Sequence, residues 1–425
     1  MKKTIRTLFV AALGIGSLVS VACSGGVKAT PYEVGQPVKI GLICLHDDKS
    51  TYDANFINAI KEAAKDLGSD KVVLEDACIL TGVDENQACL DAAKDLVKKG
   101  CNVVFADSFG HQDYMLQAAK KWPEVQFCHA TGTNAKTAKL DNYHNAFASI
   151  YQGRYLAGYA AGLKLSIANA ADFDGSKDVK VGYVGAFPYA EVKSGYTSWF
   201  IGLRSALKEA SLDVSKLRMD VEFTNSWYDV NAEQSAAEKL IQGGAILVSQ
   251  HADSMGAPGA CEKAGIPNVT YNVETAVECP NTYLAYSRIN WAPYYKAVVN
   301  AVFAGKGIEG ELNNNWTGTL ASGSVQYNVN WLNMGNAVEA AAAQVTFTAV
   351  AAEVLAGTRQ VFDCDNFTVK GEKLTSYKAD TDGDFQGDTE VIEKVGGKDV
   401  FMESKYCSAP YFDLDIDGIN LPAAK

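Results

Sequence analysis

What most constrains this chain is a repeated alternation of two patterns. A short, wholly apolar run rich in Val, Ile and Leu is followed by a stretch whose apolar residues recur three and four positions apart. Residues 38–45 are the first such run, and Ile57, Ile60, Ala64 and Leu67 carry the helical spacing behind it. A strand that is apolar on both faces must be covered on both faces, which is the condition of a parallel sheet flanked by helices. The alternation continues with strand 71–76, helix 84–99, strand 101–106, helix 111–121, strand 124–129, strand 143–149 and helix 151–168. A second series follows: strand 179–184, helix 190–210, strand 217–223, helix 230–242, strand 245–250, helix 254–264 and strand 267–272. At 425 residues the chain exceeds what one hydrophobic core sustains. The expectation is an α/β protein of two lobes, each a mostly parallel sheet flanked by helices.

Residues 283–288 read as a strand returning to the first lobe, 294–303 as a helix, and 337–355 as an Ala-rich helix packing back on that lobe. The expected division is therefore 38–149 plus 285–356 for the first lobe, 150–284 for the second, and 357–425 as an acidic appendage. Gly158 and Gly162, four apart on helix 151–168, are expected to permit close helix packing.

Lys2, Lys3 and Arg6 precede an apolar stretch over 8–22, shorter than a membrane-spanning helix needs, and together they read as a signal peptide over 1–22. Cys23, followed by Ser24, Gly25 and Gly26, resembles a lipoprotein processing site, so lipidation at Cys23, a tether over 23–37 and attachment to a membrane through the lipid are expected. Nine further cysteines suit an oxidising compartment. Proximity suggests Cys78 with Cys89, Cys261 with Cys279 and Cys364 with Cys407, leaving Cys44, Cys101 and Cys128 as buried thiols. The net charge of −12 argues against nucleic acid as a partner.

In open α/β sheets ligands collect beyond the carboxyl ends of the strands, so the loops there hold the candidate residues. After the first strand come Asp47, Asp48 and Tyr52; after the third, Asp107 and Asp113. The second lobe offers Trp227, Asp229, Gln250 and Asp253, with Asn272 closing strand 267–272, and Trp291 lies where the chain leaves that lobe. Carboxylates can accept hydrogen bonds from ligand N–H or O–H groups and aromatics can stack on a flat ring. The same acids can equally cap helix N-termini. No GxxxxGK[ST], HExxH or GxSxG occurs, and Gly305–Gly310, although it fits GxGxxG, follows a helix and reads as a turn. No CxxC pair or ligand-spaced histidines suggest a metal in the lobes, and no cofactor is required. In the tail, Asp382, Asp384, Gln386, Asp388 and Glu393 fall at positions 1, 3, 5, 7 and 12 of a calcium-loop pattern, a partial match.

These segments resemble the basic membrane protein family, the purine-binding lipoproteins of ABC importers. The resemblance rests on Asp47-Asp48-Lys49-Ser50-Thr51-Tyr52, Ser108-Phe109-Gly110, the run 118–127, His129-Ala130-Thr131-Gly132, the run 150–158, Asn225-Ser226-Trp227-Tyr228-Asp229 and Gln250-His251-Ala252-Asp253-Ser254. It implies a periplasmic-binding-protein fold with the ligand, a purine nucleoside or free nucleobase, in the cleft between the lobes, and an ABC permease as partner. It further implies that Tyr52 stacks on the base and that Asp113 takes ribose hydroxyls. It implies a binder and not an enzyme. A surface lipoprotein that senses the ligand without transport would use the same cleft.

Overall fold

A computed structural model describes residues 27–422. The signal segment and Cys23 lie outside the described residues. Two seven-stranded sheets form the two lobes. The first runs Asn315–Gly318, Tyr143–Ala148, Gln126–Ala130, Val103–Ala106, Val38–Ile43 and Val72–Val73, with Ile79–Leu80 also on Val38–Ile43, every pairing parallel. The second runs Val325–Val329, Tyr283–Ile289, Asn268–Tyr271, Ala245–His251, Val179–Gly185, Leu217–Phe223 and Ile419–Asn420. Only Val325–Val329 is antiparallel there.

Strand Tyr283–Ile289 therefore belongs to the second lobe, where it pairs in parallel with Asn268–Tyr271, rather than returning to the first. An apolar run specifies that a strand is buried but not beside which neighbour, so it does not reveal the sheet it joins. The chain crosses between lobes three times: between Ala148 and Ile150, from Ile289 into helix Ala292–Phe303, and from Gly318 to Val325. Helix Ala292–Phe303 packs on helix Thr51–Leu67 in the first lobe, and Trp291 stacks on Phe56 with ring centroids 4.4 Å apart.

Helix Ala337–Leu355, expected on the first lobe, is not there. Its buried face, Ala343, Phe347, Val350 and Val354, instead joins the second lobe's core. The tail after it, expected as an acidic appendage, packs into the second lobe. Phe362, Phe401, Tyr411 and Phe412 enter the same core, Phe362 and Phe412 stack at 4.5 Å, and Ile419–Asn420 extends the sheet edge beside Leu217–Phe223. The tail also reaches the first lobe, where Ser408 donates to Asn315 Oδ1 at 3.4 Å. Its acidic composition hides the widely spaced aromatics that bury it.

Helices Ile150–Ala168 and Ala190–Glu209 form the tightest helix pair of the second lobe. A Cβ on Gly158 would lie 1.9 Å from the Trp199 carbonyl oxygen, and one on Gly202 would lie 2.1 Å from that of Tyr155. Only glycine lets the two backbones meet this closely. The cysteines differ from expectation as well: all nine of the described ones are free thiols and buried, and Cys78 faces Cys101, with 3.7 Å between the sulfurs, rather than Cys89. Strand pairing, not sequence proximity, decides which sulfurs meet.

Candidate functional site

The carboxyl ends of both sheets face each other across the cleft, and the lobes are closed on it. The Thr51 amide of the first lobe donates to the Asp253 carbonyl of the second at 2.9 Å, and Phe109 stacks on Tyr189 across the gap at 5.4 Å. Between them lies a narrow pocket, lined from the first lobe by Leu45, His46, Tyr52, Asp53, Ser108, Phe109 and Thr131, and from the second by Glu191, Trp227, His251 and Asp253.

Aromatic groups form the walls. Trp227 meets Phe187 edge-on at 5.1 Å and lies 6.0 Å from Tyr189, so the second lobe offers a continuous aromatic surface. Tyr52 closes the first-lobe side, its ring against Phe56 and its hydroxyl donating to the Asp107 carbonyl at 3.0 Å.

Three carboxyl groups face the space. Burial alone would raise the Asp53 carboxyl. It is instead held below its ordinary value, first by the His46 ring, whose Nδ1 lies 3.5 Å away, then by the Ser50 hydroxyl at 2.5 Å and the His46 amide, which donates at 2.8 Å. Glu191, in the first turn of helix Ala190–Glu209, is pushed up to about 7 by burial, with Arg154 pulling the other way. Asp253 is raised by burial and then by the neighbouring Glu233. The His251 Nε2 is 3.5 Å from Glu191, yet burial and then Arg154 hold the imidazole well below its usual value, so the contact is not an ion pair. Arg154 itself lies behind the wall, donating to the Gln250 carbonyl at 2.9 Å with its guanidinium 3.5 Å over the Tyr271 ring. No Lys or Arg is among the lining residues. The pocket accepts hydrogen bonds, stacks flat rings and sets no Lys or Arg against a phosphate or carboxylate.

Of the residues proposed from sequence, Tyr52, Trp227 and Asp253 line the pocket. Asn272, at φ 71°, supports Asp253 through a 3.3 Å hydrogen bond to its carboxylate. Gln250 is committed to its own loop, donating to the Ala252 and Ser254 carbonyls at 3.0 and 3.2 Å. Asp107 lies fully buried beneath the pocket, accepting from the Leu45 amide. The others are elsewhere. Asp47 and Asp48 are exposed, Asp47 holding the Lys49 amide. Asp113 is exposed on helix Gln112–Lys121, away from the lining, so the ribose contact expected of it has no geometry here. Asp229 is the exposed N-cap of helix Val230–Gln242, accepting from Asn231 and Ala232. Trp291 is core. Asp53, Phe109, Glu191 and His251 were not singled out. Glu191 carries the same signal as the acids that were, a carboxylate in the first turn of the helix behind a strand.

In the tail the carboxylates that converge are Asp380, Asp382 and Asp384, each accepting amides of its own turn. Glu393 stands apart, paired with Lys405 at 2.6 Å and bonded to Tyr406, so the expected five-residue calcium set with Gln386 and Asp388 does not assemble. Asp388 bonds the adjacent Thr389 hydroxyl.

Residues 42–330 match the family described as ABC transporter substrate-binding protein PnrA-like. A purine-binding protein of Brucella abortus is 32% identical over 272 residues, spanning 64% of this chain and 67% of that protein. A putative ABC transporter glucose-binding protein of Haloferax volcanii is 29% identical over 204 residues, and the chain spans 46% of its length. Among solved structures, ABC solute-binding proteins of Aeropyrum pernix and Conexibacter woesei superpose with TM-scores of 0.59 and 0.55 at 13% and 19% identity. They cover 82% and 76% of this chain and 95% and 98% of their own, and they are alike in fold.

Proposed function

The chain belongs to the PnrA-like family of ABC transporter substrate-binding proteins, and from that premise, together with its pocket, we propose that it captures a purine nucleobase or nucleoside for import. It is a binding protein and not an enzyme, and it works with a permease. The observation that carries the ligand class is the pairing of aromatic walls with buried acceptors. Trp227, Phe109 and Tyr52 offer faces to a flat ring, and Asp53, Asp253 and Glu191 offer acceptors to ring and exocyclic N–H groups. Such a site disfavours phosphorylated ligands, because no Lys or Arg lines it to neutralise a phosphate. The purine-binding relative supports the same reading.

A neutral monosaccharide is the second reading, favoured by the putative glucose-binding relative and by aromatic walls and acceptors that also suit a sugar. Isothermal titration separates them. Adenine, guanine and their nucleosides should bind, and glucose should not. Asp253→Asn should weaken the purine by about 10-fold, since a buried hydrogen bond left unmade costs about 1–3 kcal/mol. Purine binding unaffected by both Asp253→Asn and Trp227→Ala would show the pocket to be elsewhere. Export through the signal segment and lipid attachment at Cys23 complete the proposal. Retention in the membrane fraction that is lost in Cys23→Ala tests it.

A further inference from the structure

Beneath the ligand pocket the ends of strands Val38–Ile43 and Val103–Ala106 and the first turn of helix Thr51–Leu67 bring three metal-binding side chains together. Cys44 Sγ and one carboxylate oxygen each of Asp53 and Asp107 lie within 4.8 Å of one another, and all three residues are buried. A protein interior does not ordinarily leave such groups without partners. Here the Asp107 Oδ2 has none.

A fourth residue points the same way. The His111 Nε2 is 2.8 Å from the Val83 carbonyl, which can only accept, so Nε2 carries the ring proton and Nδ1 presents a lone pair. That Nδ1 is fully buried, has no hydrogen-bond partner and faces Asp107 Oδ1 at 3.9 Å. Two lone pairs at this distance repel unless a cation lies between or beside them. The spacing is too long for a shared proton and close to the roughly 3.5 Å that separates ligands around a tetrahedral ion with bonds of about 2.0–2.3 Å.

We infer that Cys44, Asp53 and Asp107, flanked by His111, bind one divalent cation of the zinc class at the floor of the cleft. Sulfur with carboxylate and imidazole donors selects a borderline ion over magnesium or calcium. The ion enters through the pocket, which Asp53 lines, when the lobes part. Coordination converts the Cys44 thiol to a thiolate and the Asp107 carboxyl, which burial and the neighbouring Asp53 push up, to a carboxylate, and it releases both protons to solvent with no change of oxidation state. The bound charge offsets the two floor carboxylates and fixes the loop that carries His46 and Tyr52. Sequence spacing could not show this, because the three donors are nine and fifty-four positions apart. The inference is independent of which ligand fills the pocket above.

The test uses the full chain, stripped by a chelator and reloaded with zinc or cobalt. One equivalent of zinc per chain is expected, with a raised melting temperature, and cobalt should give a thiolate charge-transfer band in the near ultraviolet. Cys44→Ser should abolish that band, and Asp107→Asn should weaken zinc by about 10–100-fold. Cys44→Ser, without metal, should melt as the stripped wild type does, and for Asp107→Asn it is the rise in melting temperature on adding zinc, not the metal-free value, that is compared. If Cys44→Ser fails to fold, the Asp107→Asn affinity carries the result. No cobalt band in the wild type, or equal metal content in wild type and Asp107→Asn, would overturn the site and leave the purine proposal standing. Failure of purine binding in zinc-loaded protein would do the reverse.

Discussion

Replacing Glu191 by Gln probes the electrostatics of the pocket directly. The Glu191 carboxyl rises from 4.5 to about 7 because the closed lobes bury it where Arg154 is its only compensating charge. A shift of that size corresponds to about 3 kcal/mol between its two protonation states. The sign follows from proton binding: between pH 4.5 and 7 the folded chain holds a proton that the unfolded chain has released. This stabilising contribution is therefore complete below about pH 4.5 and is lost as pH rises through 7. The carboxamide introduced by the substitution cannot titrate and fits the same volume. In urea denaturation of ligand-free protein, Glu191→Gln should be close to neutral at pH 5 and more stable than wild type by about 3 kcal/mol at pH 8. Other buried acids, such as Glu233 and Glu403, cancel in the comparison because both proteins carry them. With saturating purine the gain at pH 8 should shrink or reverse, since a ligand N–H then satisfies the wild-type carboxylate. A stability difference that is the same at both pH values would refute the placement of Glu191 in a desolvated pocket.

Three further outcomes are expected. Gly158→Ala sets a methyl group against the Trp199 carbonyl and should destabilise the second lobe by about 3 kcal/mol, read by denaturant unfolding. Phe412→Ala empties a fully buried aromatic position where tail meets lobe, and should cost about 3–5 kcal/mol and expose the tail to limited proteolysis. Phe109→Ala removes the first-lobe half of the stack with Tyr189 and should weaken ligand binding by roughly 10-fold, seen by titration as a faster off-rate.

The parts of the fold that are legible in the sequence are those where periodicity and length speak together. The strand–helix units of residues 38–148 and 179–271 declare themselves because strands such as Val38–Ile43 and Val179–Gly185 are buried on both faces. Strand Tyr283–Ile289 and helix Ala337–Leu355 have equally clear patterns, but which lobe they join depends on packing partners far away in sequence. The tail misleads for a related reason: Phe362, Phe401 and Phe412 are spread through acidic turns, and only the folded chain gathers them. Within the site, Trp227 and Asp253 stand out because they follow strand ends. Asp113 and Asp229 share that position, yet capping or a solvent-facing turn of helix claims them. Loop sequence tells which residues are near the cleft, not which side chains turn into it.

The central claim is that the closed pocket holds a purine. Mass spectrometry of the small molecules released on denaturing the freshly purified protein addresses it most directly, because a closed cleft retains what it binds. A nucleobase or nucleoside at close to one equivalent per chain, exchangeable for added adenine or guanosine, is the predicted result. A hexose released in that amount, or a protein that takes up glucose while refusing every purine offered, would contradict it.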